Sequence, residues 1–101
     1  MPQESEKARR KEIVRSHREA RRKSIRDGLP VPSELLRLLF NHVDARLEED
    51  ECDHSLRFTR EFIHDQQLPE EKVLSWLREA GGYCDCEVIG NAEEILDEAT
   101  A

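Results

Sequence analysis

All three cysteines of the chain fall in two short motifs, CDH at residues 52–54 and CDC at residues 84–86. Each motif places two metal-ligating residue types at positions i and i+2. Together they offer three thiolates and one imidazole, and Cys3His is a standard tetrahedral ligand set for structural Zn²⁺. The sequence therefore predicts a zinc site whose ligands are Cys52, His54, Cys84 and Cys86.

This spacing leaves other chemistry open. Cys84 and Cys86 would also suit a redox-active thiol pair, and the same ligands could hold an iron–sulfur cluster. A carboxylate from Asp53, Asp85 or Glu87 could replace one ligand, although thiolate and imidazole normally outcompete carboxylates for zinc. The cysteines could also be thiols that bind no metal.

A closed site is expected to be structural. A hydrolytic zinc needs an open coordination position with a base beside it, and four protein ligands leave none. In an extended segment Glu87 would lie on the face opposite Cys86 and would be a poor general base. The zinc-deaminase signature and the H-E-x-x-H motif do not occur in the sequence. We expect no catalytic residues and a binding module, with a metal-dependent or thiol-based enzyme, or a zinc or redox sensor, as the alternatives.

Three amphipathic helices are predicted to position these motifs. Apolar residues recur at helical spacing over about residues 34–47, after a Ser33 N-cap. A second helix, with Asp53 or Ser55 as its N-cap, should run to about residue 66. A third should begin at Pro69 and end at Gly81, because proline suits the first helical position and glycine suits the residue after the last.

The segment over residues 83–89 has a different pattern. Its side chains alternate in type, which predicts an extended segment with Cys84 and Cys86 on one face. Asn91 and Glu94 form a capping-box pattern for a last short helix over residues 92–96. The predicted fold class is mostly α (small α+β), with three to four short helices and one extended Cys-x-Cys segment around the zinc site.

The charge of the chain divides it into two parts. The 101 residues carry a net charge of -7, but residues 1–27 are basic and the remainder is strongly acidic. We expect a basic arm, helical or partly disordered, over 1–28, an acidic zinc-binding domain over 29–96, and a frayed tail over 97–101. Lys and Arg of residues 7–26 could neutralise RNA or DNA phosphates, or the arm could be a solubilising tail or lie on the acidic body.

The rest of the composition bears on location and partners. No stretch approaches the apolar length of a membrane-spanning helix, and the N-terminus has no apolar signal region. We therefore expect a cytoplasmic protein that does not contact membranes and that binds an unidentified protein partner, RNA or DNA.

Two strings resemble a family of small bacterial proteins known as a domain of unknown function (number twenty-six ninety-five). They are CDHSLRFTREFI and EEKVLSWLREAGGYCDCEVIGN. The resemblance spans about residues 29–92, and GGYCDCEV is its most distinctive part. It implies that seven residues fall on motif positions of that family, and it implies no activity. These residues are Cys52, Asp53, His54, Cys84, Asp85, Cys86 and Glu87.

Overall fold

The fold is known from a computed structural model that describes residues 16–100. Over this range the chain is mostly helical and contains no β-strand, which confirms the predicted mostly α class. No helix within it combines the length and the apolar character needed to cross a membrane. The elements are α1 (helical from residue 16 to residue 27), α2 (Ser33–Glu49), α3 (Arg57–Asp65), α4 (Glu70–Glu79), α5 (Asp85–Glu87), a π-helical turn (Val88–Ala92) and α6 (Glu93–Thr100).

Helix α2 lies at the centre of the fold. It contacts α3, α5, the π-helical turn and α6. Its buried stripe follows the helical spacing seen in the sequence, so the predicted helix over residues 34–47 is confirmed and ends two residues later. Its N-cap is Pro32, because Ser33 is already helical, so the predicted Ser33 N-cap is wrong. The buried residues are Leu36, Leu39, Phe40 and Val43.

Helices α3 and α4 follow one another through a short turn. Gln67 has a positive φ of 52°, and the Leu68 N–H donates to the Ile63 carbonyl at 2.9 Å. Helix α4 begins at Glu70, one residue after the predicted start, with Pro69 as its N-cap. Helix α3 begins at Arg57, and its N-cap is Leu56 and not Asp53 or Ser55 as predicted. The preceding residues 51–56 form a loop, and this loop carries Cys52.

The predicted extended Cys-x-Cys segment is wrong. Cys84 has extended backbone angles, φ -144° and ψ 170°, but the chain turns helical at Asp85. The physical reason is the burial of side chains spaced four residues apart. Val88, Ala92 and Leu96 are fully buried in the core. Burying this helical stripe outweighs the short alternating pattern around the cysteines.

The C-terminal helix therefore differs from its prediction at both ends. α5, the π-helical turn and α6 form one helical run from Asp85 to Thr100. Asn91 is not an N-cap but lies inside the π-helical turn, where its side-chain amide donates to the Gly81 carbonyl at 3.0 Å. Residues 97–100, assigned to a frayed tail from the sequence, are helical.

Helix α1 contains the described part of the basic arm. The Arg21 guanidinium pairs with the Glu98 carboxylate of α6, with Nη2 3.2 Å from Oε2. The pairing lowers the pKa of Glu98 and raises that of Arg21. Arg18, Lys23 and Arg26 are exposed. Residues 1–15, which hold the other half of the arm's Lys and Arg residues, lie outside the described range.

Candidate metal centre

Three sulfur atoms meet at the start of the C-terminal helical run. Cys52 comes from the loop between α2 and α3, and Cys84 and Cys86 come from the N-terminus of α5. Their Sγ atoms all lie within 4.8 Å of one another, and the Cys84 and Cys86 sulfurs are 3.4 Å apart. A tetrahedral ion with Zn–S bonds of about 2.3 Å would set its sulfurs about 3.8 Å apart. The three cysteines can hold one metal ion with small side-chain adjustments.

Asp85, the middle residue of the CDC motif, fixes this motif to helix α3. Its carboxylate is fully buried and accepts the backbone N–H groups of Phe58 and Thr59 at 3.1 and 3.0 Å. The Thr59 hydroxyl donates to the same carboxylate at 2.8 Å. These N–H groups belong to the first turn of α3, whose N-cap residue Leu56 makes no side-chain capping bond; the Ser55 hydroxyl accepts only the Arg57 N–H, at 3.3 Å. Asp85 is therefore an N-cap supplied by a distant part of the chain.

A backbone hydrogen bond joins the two motifs directly. The Asp85 N–H donates to the Ser55 carbonyl at 2.9 Å. Since Ser55 lies in the loop that carries Cys52, this bond holds the loop against α5. The CDC motif is thus tied both to the helix that follows the loop and to the loop itself.

The loop over residues 51–56 is also braced from within. Asp53 accepts the Ser55 N–H at 3.0 Å, and Arg57 donates to the Glu51 carbonyl at 2.8 Å. The hydrogen bonds from Ser55 and the nearby Arg57 charge lower the pKa of Asp53. Asp53 therefore acts as an ionised acceptor in the loop, and its oxygens are not in the sulfur group.

His54 is the one sequence-predicted ligand that lies apart from this group. Its side chain is exposed, and its backbone has a positive φ of 67°. The donor atoms found within 4.8 Å of one another are the three sulfurs and do not include its ring nitrogens. The structure places its backbone N–H, not its ring, beside the Cys52 sulfur. Coordination by His54 stays a prediction.

The three thiols differ in burial. Cys84 is buried, with 4% of its surface exposed, whereas Cys52 is half-buried and Cys86 is exposed. The site is therefore a shallow one, with Cys84 at its floor and the other two sulfurs toward solvent.

Their acidities differ as well. Burial acts to raise the pKa of Cys52, but the N–H groups of Cys86 and His54 and the two neighbouring thiols lower it overall. Burial raises the pKa of Cys84 to about 12, and hydrogen bonds with the other two thiols and with Glu87 add to the rise. Without a metal, Cys52 is thus the readier thiolate and Cys84 holds its proton. A bound cation would favour the thiolate at all three positions.

Glu87, which the sequence suggested only as a possible replacement ligand and a poor general base, lies beside the sulfurs. One of its carboxylate oxygens, Oε1, lies 3.5 Å from the Cys84 sulfur. On a strand Glu87 would face away from Cys84, but at the start of a helix a residue three positions later returns to the same side. The signal available in the sequence was the four-residue spacing of Cys84, Val88 and Ala92, which is helical.

Comparison with known proteins places the chain among uncharacterized relatives. Residues 39–91 match the family described as "Protein of unknown function (DUF2695)". Uncharacterized protein Rv2271 of Mycobacterium tuberculosis is 34% identical over 88 residues, covering 87% of this chain and 89% of the relative. Uncharacterized protein Mb2294 of Mycobacterium bovis matches with the same identity and coverage. No solved structure shows significant similarity to the chain.

Proposed function

The chain belongs to the DUF2695 family of proteins of unknown function, and we propose from its own geometry that it is a small structural-zinc domain serving as a binding module. Cys52, Cys84 and Cys86 hold the metal. The zinc joins the loop over residues 51–56 to the C-terminal helical run and thereby stabilises a surface that binds a protein or RNA partner.

The convergence of the three sulfurs carries this proposal. They come from two separate parts of the chain, yet all lie within 4.8 Å of one another. Three thiolates form a soft donor set, which favours zinc over magnesium or calcium. Two backbone N–H groups, those of Cys86 and His54, face the Cys52 sulfur and would stabilise the net negative charge of a trithiolate zinc centre.

The excess of acidic side chains in residues 28–101 is a reason to expect that the metal stabilises the fold. Residues 28–101 carry an excess of acidic over basic side chains in a small domain. Mutual repulsion among these groups opposes folding, and a domain of this size has a limited core. Zinc binding adds directly to the free energy of folding, because the ligands are brought together only in the folded chain.

The exposed basic residues of α1 support RNA as one partner. Arg18, Lys23 and Arg26 are exposed, whereas Arg21 is paired with Glu98. We expect the R18Q/K23Q/R26Q variant to bind RNA more weakly and with a shallower dependence on salt concentration. The E34Q/E48Q variant, which changes exposed residues of α2, is the control. Equal RNA binding by all three proteins would exclude this role of α1 and leave a protein partner.

A redox sensor is the second candidate function. Its support is the 3.4 Å separation of the Cys84 and Cys86 sulfurs together with the exposure of Cys86. A sensor would release its metal when a hydroperoxide oxidises two of the thiolates to a disulfide, with two protons taken up and the hydroperoxide reduced to one alcohol and one water. A structural centre would retain its metal under mild peroxide treatment, so zinc release measured with a chromogenic chelator separates the two functions.

The structural role is tested by thermal unfolding. We expect a chelator to lower the melting temperature of the wild-type protein, and we expect Cys84→Ser to lower it and to abolish the effect of the chelator. Ser75→Ala, at an exposed position of α4, is the control and should melt and respond to the chelator like the wild type. A melting temperature that neither the chelator nor Cys84→Ser changes would refute a structural metal.

A further inference from the structure

We infer that the Glu87 carboxylate is the fourth donor to the metal, so that the centre is Cys3Glu and not Cys3His. This inference rests on the proposed function, because it assumes that the three cysteines hold the ion. It assigns the remaining coordination position to a residue that stands beside the sulfurs in the structure.

The distances match two edges of one coordination tetrahedron. With Zn–S bonds of about 2.3 Å and a Zn–O bond of about 2.1 Å, tetrahedral angles place sulfur and oxygen about 3.6 Å apart and two sulfurs about 3.8 Å apart. The observed separations are 3.5 Å between Cys84 Sγ and Glu87 Oε1 and 3.4 Å between the Cys84 and Cys86 sulfurs. Both edges share the Cys84 sulfur, and both are within a few tenths of an ångström of the required lengths.

The hydrogen bond between Cys84 and Glu87 also supports Glu87 as a metal ligand. In the metal-free chain the Cys84 thiol donates to Glu87 Oε1. A metal ion must displace the thiol proton in order to bind. The carboxylate oxygen that accepted the thiol's hydrogen bond then lies beside a thiolate and a dication. Carboxylate oxygen is an established zinc ligand.

The charge of such a centre is balanced by its surroundings. Three thiolates, one carboxylate and Zn²⁺ carry a net charge of about -2. The centre lies at the N-terminal end of a helical run that continues to Thr100, and this end carries a partial positive charge. The backbone N–H of Cys86 also faces the Cys52 sulfur, and that of Glu87 faces the Cys84 sulfur.

Glu87 and His54, the two candidates for the fourth metal ligand, differ in how the structure holds them near the sulfurs. Glu87 is on the same helical turn as two of the cysteines and already contacts one of them. Its carboxylate is outside the group of donors within 4.8 Å, so it must rotate toward Cys52 and Cys86, and its exposed side chain is free to do so. His54 would have to bring its ring in from the solvent side of a loop that Ser55 and Arg57 brace.

Cobalt(II) binding tests the assignment, because Co²⁺ replaces Zn²⁺ in tetrahedral sites and its visible absorption reports the ligands. Full-length wild type, Glu87→Ala, Glu87→Gln, His54→Ala and the control Glu94→Ala are titrated with Co²⁺, and their Zn²⁺ affinity is measured by competition. We expect Glu87→Ala to lose at least about tenfold in affinity, the loss that removal of even an outer partner of a metal ligand can cause, and to shift the visible bands. Glu87→Gln should fall between Glu87→Ala and the wild type.

The control variants and the opposing results separate the Cys3Glu centre from the alternatives. His54→Ala and Glu94→Ala should resemble the wild type in affinity and spectrum. Wild-type spectra in Glu87→Ala would overturn the inference, and so would a loss confined to His54→Ala, which would favour the Cys3His centre. A wild-type protein that shows no cobalt–thiolate absorption at all would instead contradict the proposed metal centre itself. Glu87 is exposed, so the variants should fold, and circular dichroism checks this.

Discussion

The Asp85 carboxylate caps helix α3 through Thr59, accepting its backbone N–H at 3.0 Å and its hydroxyl at 2.8 Å. These two residues lie 26 positions apart in the chain. Because Asp85 is flanked by Cys84 and Cys86, the same short motif contributes two sulfurs to the candidate metal centre and one buried carboxylate to the start of α3. The metal centre and the start of α3 are therefore positioned by a single segment.

Replacing Asp85 should destabilise the fold even when no metal is bound. Asp85→Ala removes an N-cap, which costs about 1–2 kcal/mol, and leaves buried donors without acceptors, which costs about 1–3 kcal/mol more. We expect urea unfolding in the presence of a chelator to show a loss of about 2–5 kcal/mol. Asp44→Ala, at an exposed position of α2, should stay within about 0.5 kcal/mol of the wild type. Equal stability of the two variants would mean that the Asp85 cap contributes little.

Two thiols of the metal-free protein, those of Cys52 and Cys84, should react with iodoacetamide at different rates. Cys52 should react before Cys84, because neighbouring N–H groups lower the pKa of Cys52, while burial raises that of Cys84 to about 12. Mass spectrometry of peptides after brief labelling at pH 8 measures the order, and unfolded protein in urea provides the reference rates. Faster labelling of Cys84 than of Cys52 in the folded chain would contradict these acidities.

Alkaline pH should destabilise the metal-free wild type more than Cys84→Ala. The pKa of Cys84 rises from 9.0 to about 12 in the folded chain. Between these values the unfolded state loses the thiol proton and the folded state keeps it, so the free energy of unfolding falls as pH rises. The measurement is urea unfolding at pH 8 and pH 10 with a chelator and a non-thiol reductant. The same loss of stability in both proteins would show that Cys84 does not contribute.

Two glycines near the site should respond in opposite ways to substitution by alanine. Gly81 has a φ of +88°, and a Cβ there would lie 3.2 Å from Asn91 Nδ2. Gly81→Ala should therefore cost about 1 kcal/mol or more. A Cβ at Gly90 meets nothing within 4 Å, so Gly90→Ala should be neutral or stabilise by up to about 1 kcal/mol. Thermal unfolding measures the stability of both variants. A Gly90→Ala variant less stable than Gly81→Ala would contradict the backbone conformation and the open space described at these two positions.

The sequence was sufficient to predict most of the helical framework. Helix α2 has a regular stripe of buried residues, and α4 has a clear start after Pro69 and a clear end before Gly81, so local signals agreed with the packing. The prediction for the segment after Gly82 was wrong, because its short pattern of side chains fits both the two-residue repeat of a strand and the four-residue spacing of a helix. Burial of Val88, Ala92 and Leu96 in the core decided in favour of the helix.

The candidate site was predicted in part. Residue type alone identified Cys52, Cys84 and Cys86, because thiols at this spacing have few uses in a small acidic domain. The capping role of Asp85 could not be read from the sequence, since its partners in α3 become neighbours only on folding. Glu87 could be suggested only as one of three carboxylates able to replace a ligand, because its position relative to Cys84 depends on whether the backbone is extended or helical there.

Elemental analysis of the purified protein tests the metal centre most directly. Mass spectrometry of metal content should find one zinc per chain in the wild type and none in Cys84→Ser, and thiol titration should find the three cysteines protected until a chelator is added. Ser75→Ala should retain the zinc. Protein purified without chelator that carries no stoichiometric metal, takes up none when zinc is added and has three freely reactive thiols would contradict the account.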